Sequence, residues 1–239
     1  MHHVDLSQFP GDLELAQAAA ADWLQHLRAH GEEKPIYTLA LSGGRIAKHF
    51  FTQVVQQVRE KKTSLSSVHF FWADERCVSA ADPESNYATA KQLLFDPLQI
   101  PATRIHRIPG ELHPHEAASR AEKELTTLFG FDSHKTPALD LVLLGMGEDG
   151  HVASLFPGDD FERQNAAPLF RSVVATKPPP NRVTMTYRLL QAATEVWVLA
   201  SGTGKATALS ESLLSDRTPL GQVRLQRPSL RIFSDIRID

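Results

Sequence analysis

Ile36-Tyr37-Thr38-Leu39-Ala40-Leu41-Ser42-Gly43-Gly44 decides the fold. Its first part is apolar or β-prone without polar alternation, as expected of a strand buried on both faces. The Ser-Gly-Gly that ends it is followed by a helical pattern from about Arg45 to Arg59. Upstream, Asp12 to His30 places Leu13, Ala16, Ala20, Trp23 or Leu24, and Leu27 at helical spacing, with a stop near Gly31. The stretch is therefore one turn of a helix–strand–helix cycle.

The cycle repeats downstream. Val68 to Trp72 reads as a strand, followed by a loop with Asp82-Pro83 and a helix near Asn86 to Leu94. Further strands are expected at Leu139 to Leu144, Ser172 to Ala175, Arg182 to Thr186, Glu195 to Ala200 and Leu230 to Phe233, and helices at about His115 to Phe129 and Lys205 to Leu214. Near-continuous apolar strands alternating with helices predict an α/β fold, its mostly parallel sheet covered on both faces. Pro178-Pro179-Pro180 is too short for a domain linker, so residues 1–239 are expected to form a single domain, elaborated by an insert near Ser79 to Leu112.

Composition narrows the function classes. Hydrophobic residues make up 42% and charged residues 22%, ordinary for a globular protein. Lys and Arg total 25 against 28 Asp and Glu, a formal charge of −3. That balance offers no global field for nucleic acid. A single cysteine, Cys77, excludes an intrachain disulfide framework and a cysteine-rich zinc site. The start, Met1-His2-His3-Val4-Asp5, lacks the features of a secretory signal. No apolar run approaches the roughly 20 residues of a membrane span. A cytoplasmic protein with no membrane or nucleic-acid partner is expected.

In parallel α/β sheets, ligands bind beyond the carboxyl ends of the strands. Those ends are Ser42 to Arg45, Ala73 to Cys77, Gly145 to Ser154 and Ser201 to Lys205, all rich in glycine or charge. Ser42-Gly43-Gly44 fits an anion seat at a helix N-terminus and equally a tight turn. Arg76 is a candidate for holding substrate oxygens, oriented by Asp74 or Glu75. Gly145 to Gly150 matches G-x-G-x-x-G, but it falls mid-chain, Pro157-Gly158 follows within two turns, and no acidic strand end lies about 20 residues on. A dinucleotide site is therefore rejected. His151 follows this turn, flanked by Asp149, Gly150 and Ser154, and an imidazole exchanges protons near neutrality.

Ser201 to Lys205 resembles a P-loop superficially, yet Leu199 replaces its first glycine and Ala206 its magnesium-binding hydroxyl. A lysine at a helix start opposes the dipole unless an anion offsets it. Lys205 is thus a candidate anion ligand, with Arg182 as a second cation. The 11 histidines are scattered without ligand spacing, so no metal site is expected.

Taken together, Leu41 to Gly44, Trp72 to Arg76 with Ser85-Asn86-Tyr87, Leu144 to Gly158, Arg182 to Thr186 and Gly204-Lys205 resemble the 6-phosphogluconolactonase family. The resemblance implies a Rossmann-like three-layer α/β/α sandwich, shared with glucosamine-6-phosphate deaminase and ribose-5-phosphate isomerase. It also implies hydrolysis of 6-phospho-D-glucono-1,5-lactone in the oxidative pentose phosphate pathway, without cofactor or metal. Carried over by motif, His151 is the general base that activates water, with Asp149 beside it to orient the ring. Arg76 and Lys205 are substrate-binding cations, and Ser42, Gly43, Gly44 and Arg182 surround the phosphate. Asp74 and Asn86 belong to the same motifs as substrate contacts. Arg45-Ile46-Ala47 depart from the family, which has Ser or Thr then Pro after the glycines. Arg45 is expected to supply charge in place of a hydroxyl.

Two alternatives are an isomerase–deaminase and an inert sugar-phosphate sensor. The deaminase motif continues to a Phe-Asn-Glu-Pro stretch, and Phe156 stands where that glutamate would be. A sensor needs a DNA-binding element, and the roughly 35 residues before the first strand hold one acidic amphipathic helix. The chain is expected to be a monomer or weak homodimer.

Overall fold

In the structure, a computed structural model that describes residues 3–30, 34–130, 135–158 and 168–238, β2 (Tyr37–Leu41) is buried along its whole length. It lies inside a six-stranded sheet with β1 (His3–Gln8), β3 (Val68–Trp72), β5 (Leu141–Gly145), β8 (Glu195–Ala200) and β9 (Ser229–Ser234). The order is β1-β9-β8-β5-β2-β3, and every neighbouring pair is parallel. Helices flank the sheet. α1 (Asp12–His30) and α2 (Arg45–Lys61) pack on each other and against β8. The expected stop of α1 at Gly31 lies outside the described residues.

The buried apolar side chains form one contiguous cluster, with Trp23, Trp72, Trp197, Tyr37 and Phe50 among the largest. Largely apolar strands are what make this possible: both faces of β2, β3 and β5 must be covered.

A second sheet departs from the simple cycle. β4 (Asp74–Arg76), β7 (Asn181–Met185) and β6 (Phe170–Val174) pair antiparallel in that order. Ala73 is the hinge: its N–H donates to Leu41 O at 2.8 Å, while its carbonyl accepts from Met185 N at 2.7 Å. The chain thus passes from one sheet into the other in a single residue.

Several expectations are corrected. Asp74-Glu75-Arg76, expected as a segment beyond a strand end, is itself strand β4, and both of its carboxylates find buried partners. β1, a helix at Tyr187–Ala192 and α7 (Pro219–Leu225) have no counterpart among the expected elements. The helix expected from Asn86 to Leu94 is α3 (Asn86–Ala90) running into one π-helical turn, Lys91–Phe95. α4 (Pro114–Phe129) and α5 (Tyr187–Ala192) follow. α6 spans Ala206–Leu214, with Lys205 ending a 3-10 turn at its N-cap rather than opening the helix.

β3 follows β2 in the chain and lies on one side of it, whereas β5 lies on the other. The connections leaving β2 and β5 therefore diverge, opening a crevice at the carboxyl end of the sheet. Ser42 and Met146 are the first residues beyond these strand ends.

Candidate active site

An open cleft of about 610 Å³ occupies that crevice, and Ser42, Gly43, Gly44, Arg45, Arg76 and His151 are among the residues lining it. Asp74, Asn86, Arg182 and Lys205 line it too. Of the residues carried over as catalytic or substrate-binding, Asp149 alone does not line it and stands behind His151.

The floor is the β2–α2 junction. Gly44 caps α2 at φ +97° and ψ 177°, a backbone conformation that is nearly glycine's alone. No side chain caps the helix and its first turn has no acid, so its free N–H groups keep their positive end toward the cleft. Ser42 Oγ is buried without a hydrogen-bond partner among the described residues.

The histidine is held from behind. His151 Nδ1 lies 2.5 Å from Asp149 Oδ1, which also accepts from the His151 backbone N–H at 3.2 Å. The ring packs flat enough on Gly147 that a β-carbon there would stand 2.0 Å from Nδ1. Burial disfavours the Asp149 carboxylate, but the bonds from His151 outweigh it and hold its pKa below the usual value. With Nδ1 engaged, Nε2 has no partner among the described residues. Phe156 lies 5.0 Å from the imidazole, ring centre to ring centre.

The cations come from three other elements. Arg76 and Arg182 are register partners across β4 and β7. Burial, then the charge of Arg76, lowers the pKa of Arg182, with Asp74 and Glu84 opposing. Arg182 Nε donates to Pro179 O at 3.1 Å, and its guanidinium lies 5.9 Å from the Phe156 ring centre. Lys205 arrives on the β8–α6 connection, where burial and then Arg45 lower its pKa. That connection is pinned by Asp235, which accepts from Ser201 Oγ at 2.7 Å and Gly202 N at 2.8 Å.

Asp74, Glu75 and Asn86 also brace the site. Neither acid of β4 orients the Arg76 guanidinium; Glu84 does, through its carbonyl at 2.7 Å and its carboxylate at 3.8 Å. Asp74 instead accepts from Ser154 Oγ at 2.7 Å, tying the histidine loop to β4. Glu75 accepts from Asn86 N, Tyr87 N and Ser85 Oγ, seating α3. Burial pushes its pKa up against these bonds. Asn86 donates to Asp74 O at 2.9 Å and lies so close to Gly43 that a β-carbon there would be 1.8 Å from its Oδ1. It shapes the floor of the cleft from beneath. Glu84 and Asp235 were not anticipated; Glu84 follows a proline in a loop, and Asp235 is 33 residues from its partner Gly202.

Fold and cleft define an α/β protein that gathers cations around a carboxylate-held histidine. The chain belongs to the glucosamine-6-phosphate isomerase/6-phosphogluconolactonase family, whose profile matches residues 11–232. It is 39% identical over 176 residues to the 6-phosphogluconolactonase of Aggregatibacter actinomycetemcomitans and 38% identical over 176 to that of Haemophilus influenzae, each match covering 72% of both chains. The crystal structure of Thermotoga maritima 6-phosphogluconolactonase matches with a TM-score of 0.81 at 27% identity, over 97% of this chain and 99% of that one.

Among the described residues no group of three or more His, Cys, Asp or Glu side chains is arranged to hold a metal ion. No helix among them is long and apolar enough to cross a membrane.

Proposed function

We propose that this chain acts as a cytoplasmic 6-phosphogluconolactonase, opening 6-phospho-D-glucono-1,5-lactone to 6-phospho-D-gluconate in the oxidative pentose phosphate pathway. The observation that carries the reading is the 2.5 Å contact between Asp149 and His151 Nδ1, which leaves Nε2 to act at the cleft. Family membership supports the substrate class, and Phe156 supports lactonase over deaminase. An apolar ring against the imidazole cannot relay the proton that opening an amino sugar requires.

In this mechanism the phosphate rests on the N–H groups at the start of α2, with Ser42, Lys205 and Arg182 around it. His151 Nε2 takes a proton from water as the water oxygen bonds to lactone C1. Asp149 stabilises the imidazolium that forms. Arg76 offsets charge on the carbonyl oxygen. The tetrahedral intermediate collapses with cleavage of the C1–ring-oxygen bond, and His151 returns its proton to that departing oxygen. Bonds and protons balance without a covalent enzyme intermediate.

The test is base consumption at constant pH on freshly made lactone, with chelator present, against spontaneous hydrolysis. The parent protein should accelerate acid release, and His151→Ala should lower kcat by about 10²–10⁴. A His151→Ala variant with near-parental turnover removes the general-base role. Ammonia release from glucosamine 6-phosphate without lactone hydrolysis removes the lactonase reading itself.

A further inference from the structure

Arg45 directly follows the two glycines, and its surroundings are unusual. Arg45 is the first residue of α2, where a positive charge opposes the helix dipole. Its guanidinium reaches across the cleft mouth to the β8–α6 connection: Nη2 is 3.0 Å from where a β-carbon on Gly202 would stand. Gly202 is itself fixed by its bond to Asp235. Lys205, three residues on, feels the Arg45 charge. Beneath them Ser42 lines the same cleft, and its Oγ is buried without a partner among the described residues. Among the described residues Arg45 makes no ion pair of its own.

Two cations, an uncapped helix start and an unpartnered hydroxyl therefore converge, and the charges of Glu148 and Asp235 offset Lys205 only in part. Each is unfavourable alone. One monoanion would offset part of this excess, whereas a dianion offsets both cations. We propose that Arg45 is a specificity-determining residue that, bridging α2 to Gly202 beside Lys205, makes this subsite selective for the dianionic form of a phosphate monoester over a monoanion of the same shape. The inference rests on the phosphate-binding half of the proposed function and not on the hydrolytic half.

Methyl phosphate and methyl sulfate are suitable probes, because they share tetrahedral shape while differing in charge at pH 7.5. Their affinities for the parent, Arg45→Ser and Arg45→Lys proteins are to be measured calorimetrically. Arg45→Ser should weaken methyl phosphate by about tenfold or more, the usual effect of losing a charge-assisted contact. It should weaken methyl sulfate no more than about threefold. Arg45→Lys should recover part of the difference. Arg45 is exposed, so the serine variant should fold, and its melting curve checks this. Unchanged phosphate affinity, or equal losses for both anions, overturns the proposal. Binding is read without turnover, so a parent protein that selects methyl phosphate yet hydrolyses no lactone would sink the lactonase reading and leave this one standing.

Discussion

Asp149 acts on His151 through one short bond to Nδ1, and the carboxylate is half exposed. Removing its charge leaves the ring seated against Gly147 but weakens its preference for presenting a bare Nε2. Asp149→Asn should lower kcat roughly 10- to 10²-fold, less than loss of the histidine, because water can reach the vacated side. KM should hardly change, since the proposed phosphate contacts lie elsewhere. A large rise in KM with constant kcat would instead make Asp149 a binding group. The residues that line the cleft were legible because they follow strand ends, where ligands bind in parallel α/β sheets. The bonds among them were not. Two-residue spacing could not establish the Asp149 contact, and nothing local told Glu84 from Asp74 as the partner of Arg76.

At the scale of elements, the β2–α2 junction carries a backbone demand that can be isolated. Gly44 needs positive φ, yet a β-carbon there would meet nothing within 4 Å. Gly44→Ala should therefore cost about 1–3 kcal/mol through backbone strain alone, read as a lower urea midpoint. An unchanged midpoint would show that the junction relaxes without loss. A second junction joins β3 to α4. His69 Nδ1 meets His106 Nε2 at 2.8 Å, and His106 Nδ1 meets Glu124 Oε1 at 2.8 Å. Burial first, then His106 and Arg104, lowers the pKa of His69. The unfolded chain thus binds a proton that folded His69 refuses, so stability falls as pH drops from above 6.5 toward the depressed value. His69→Asn should flatten that part of the urea-midpoint profile between about pH 5 and 7 relative to the parent. Parallel profiles for the two proteins would remove the junction's role. Apolar runs made the central strands readable, whereas β1 alternates half-buried and exposed residues at a sheet edge. β4 is all charge, and its acids draw most of their partners from residues 10 to 80 positions away.

At the scale of the whole molecule, the cleft gathers Arg45, Arg76, Arg182 and Lys205, and the effect of an anion that offsets them should depend on pH in a definite sense. The folded chain holds Lys205 below the 10.5 usual for lysine, first by burial and then through Arg45, with Glu148 and Asp235 opposing. Between that depressed value and 10.5 the unfolded chain carries a proton that the folded chain lacks. Stability of the free protein therefore rises with pH across this window relative to Lys205→Met. A bound phosphate reverses the bias: it favours the ammonium and raises its pKa. Its stabilising effect must then be largest where Lys205 is fully charged and shrink as the lysine titrates. Thermal melts with and without inorganic phosphate from pH 7.5 to 10 check this, because the ligand stays predominantly dianionic throughout. The parent protein should show a melting-temperature increment that declines with pH, whereas Lys205→Met should show a smaller, nearly constant one. Equal, pH-independent increments in both proteins would place the anion away from Lys205, and the phosphate would then have to be carried by Arg182 and the start of α2.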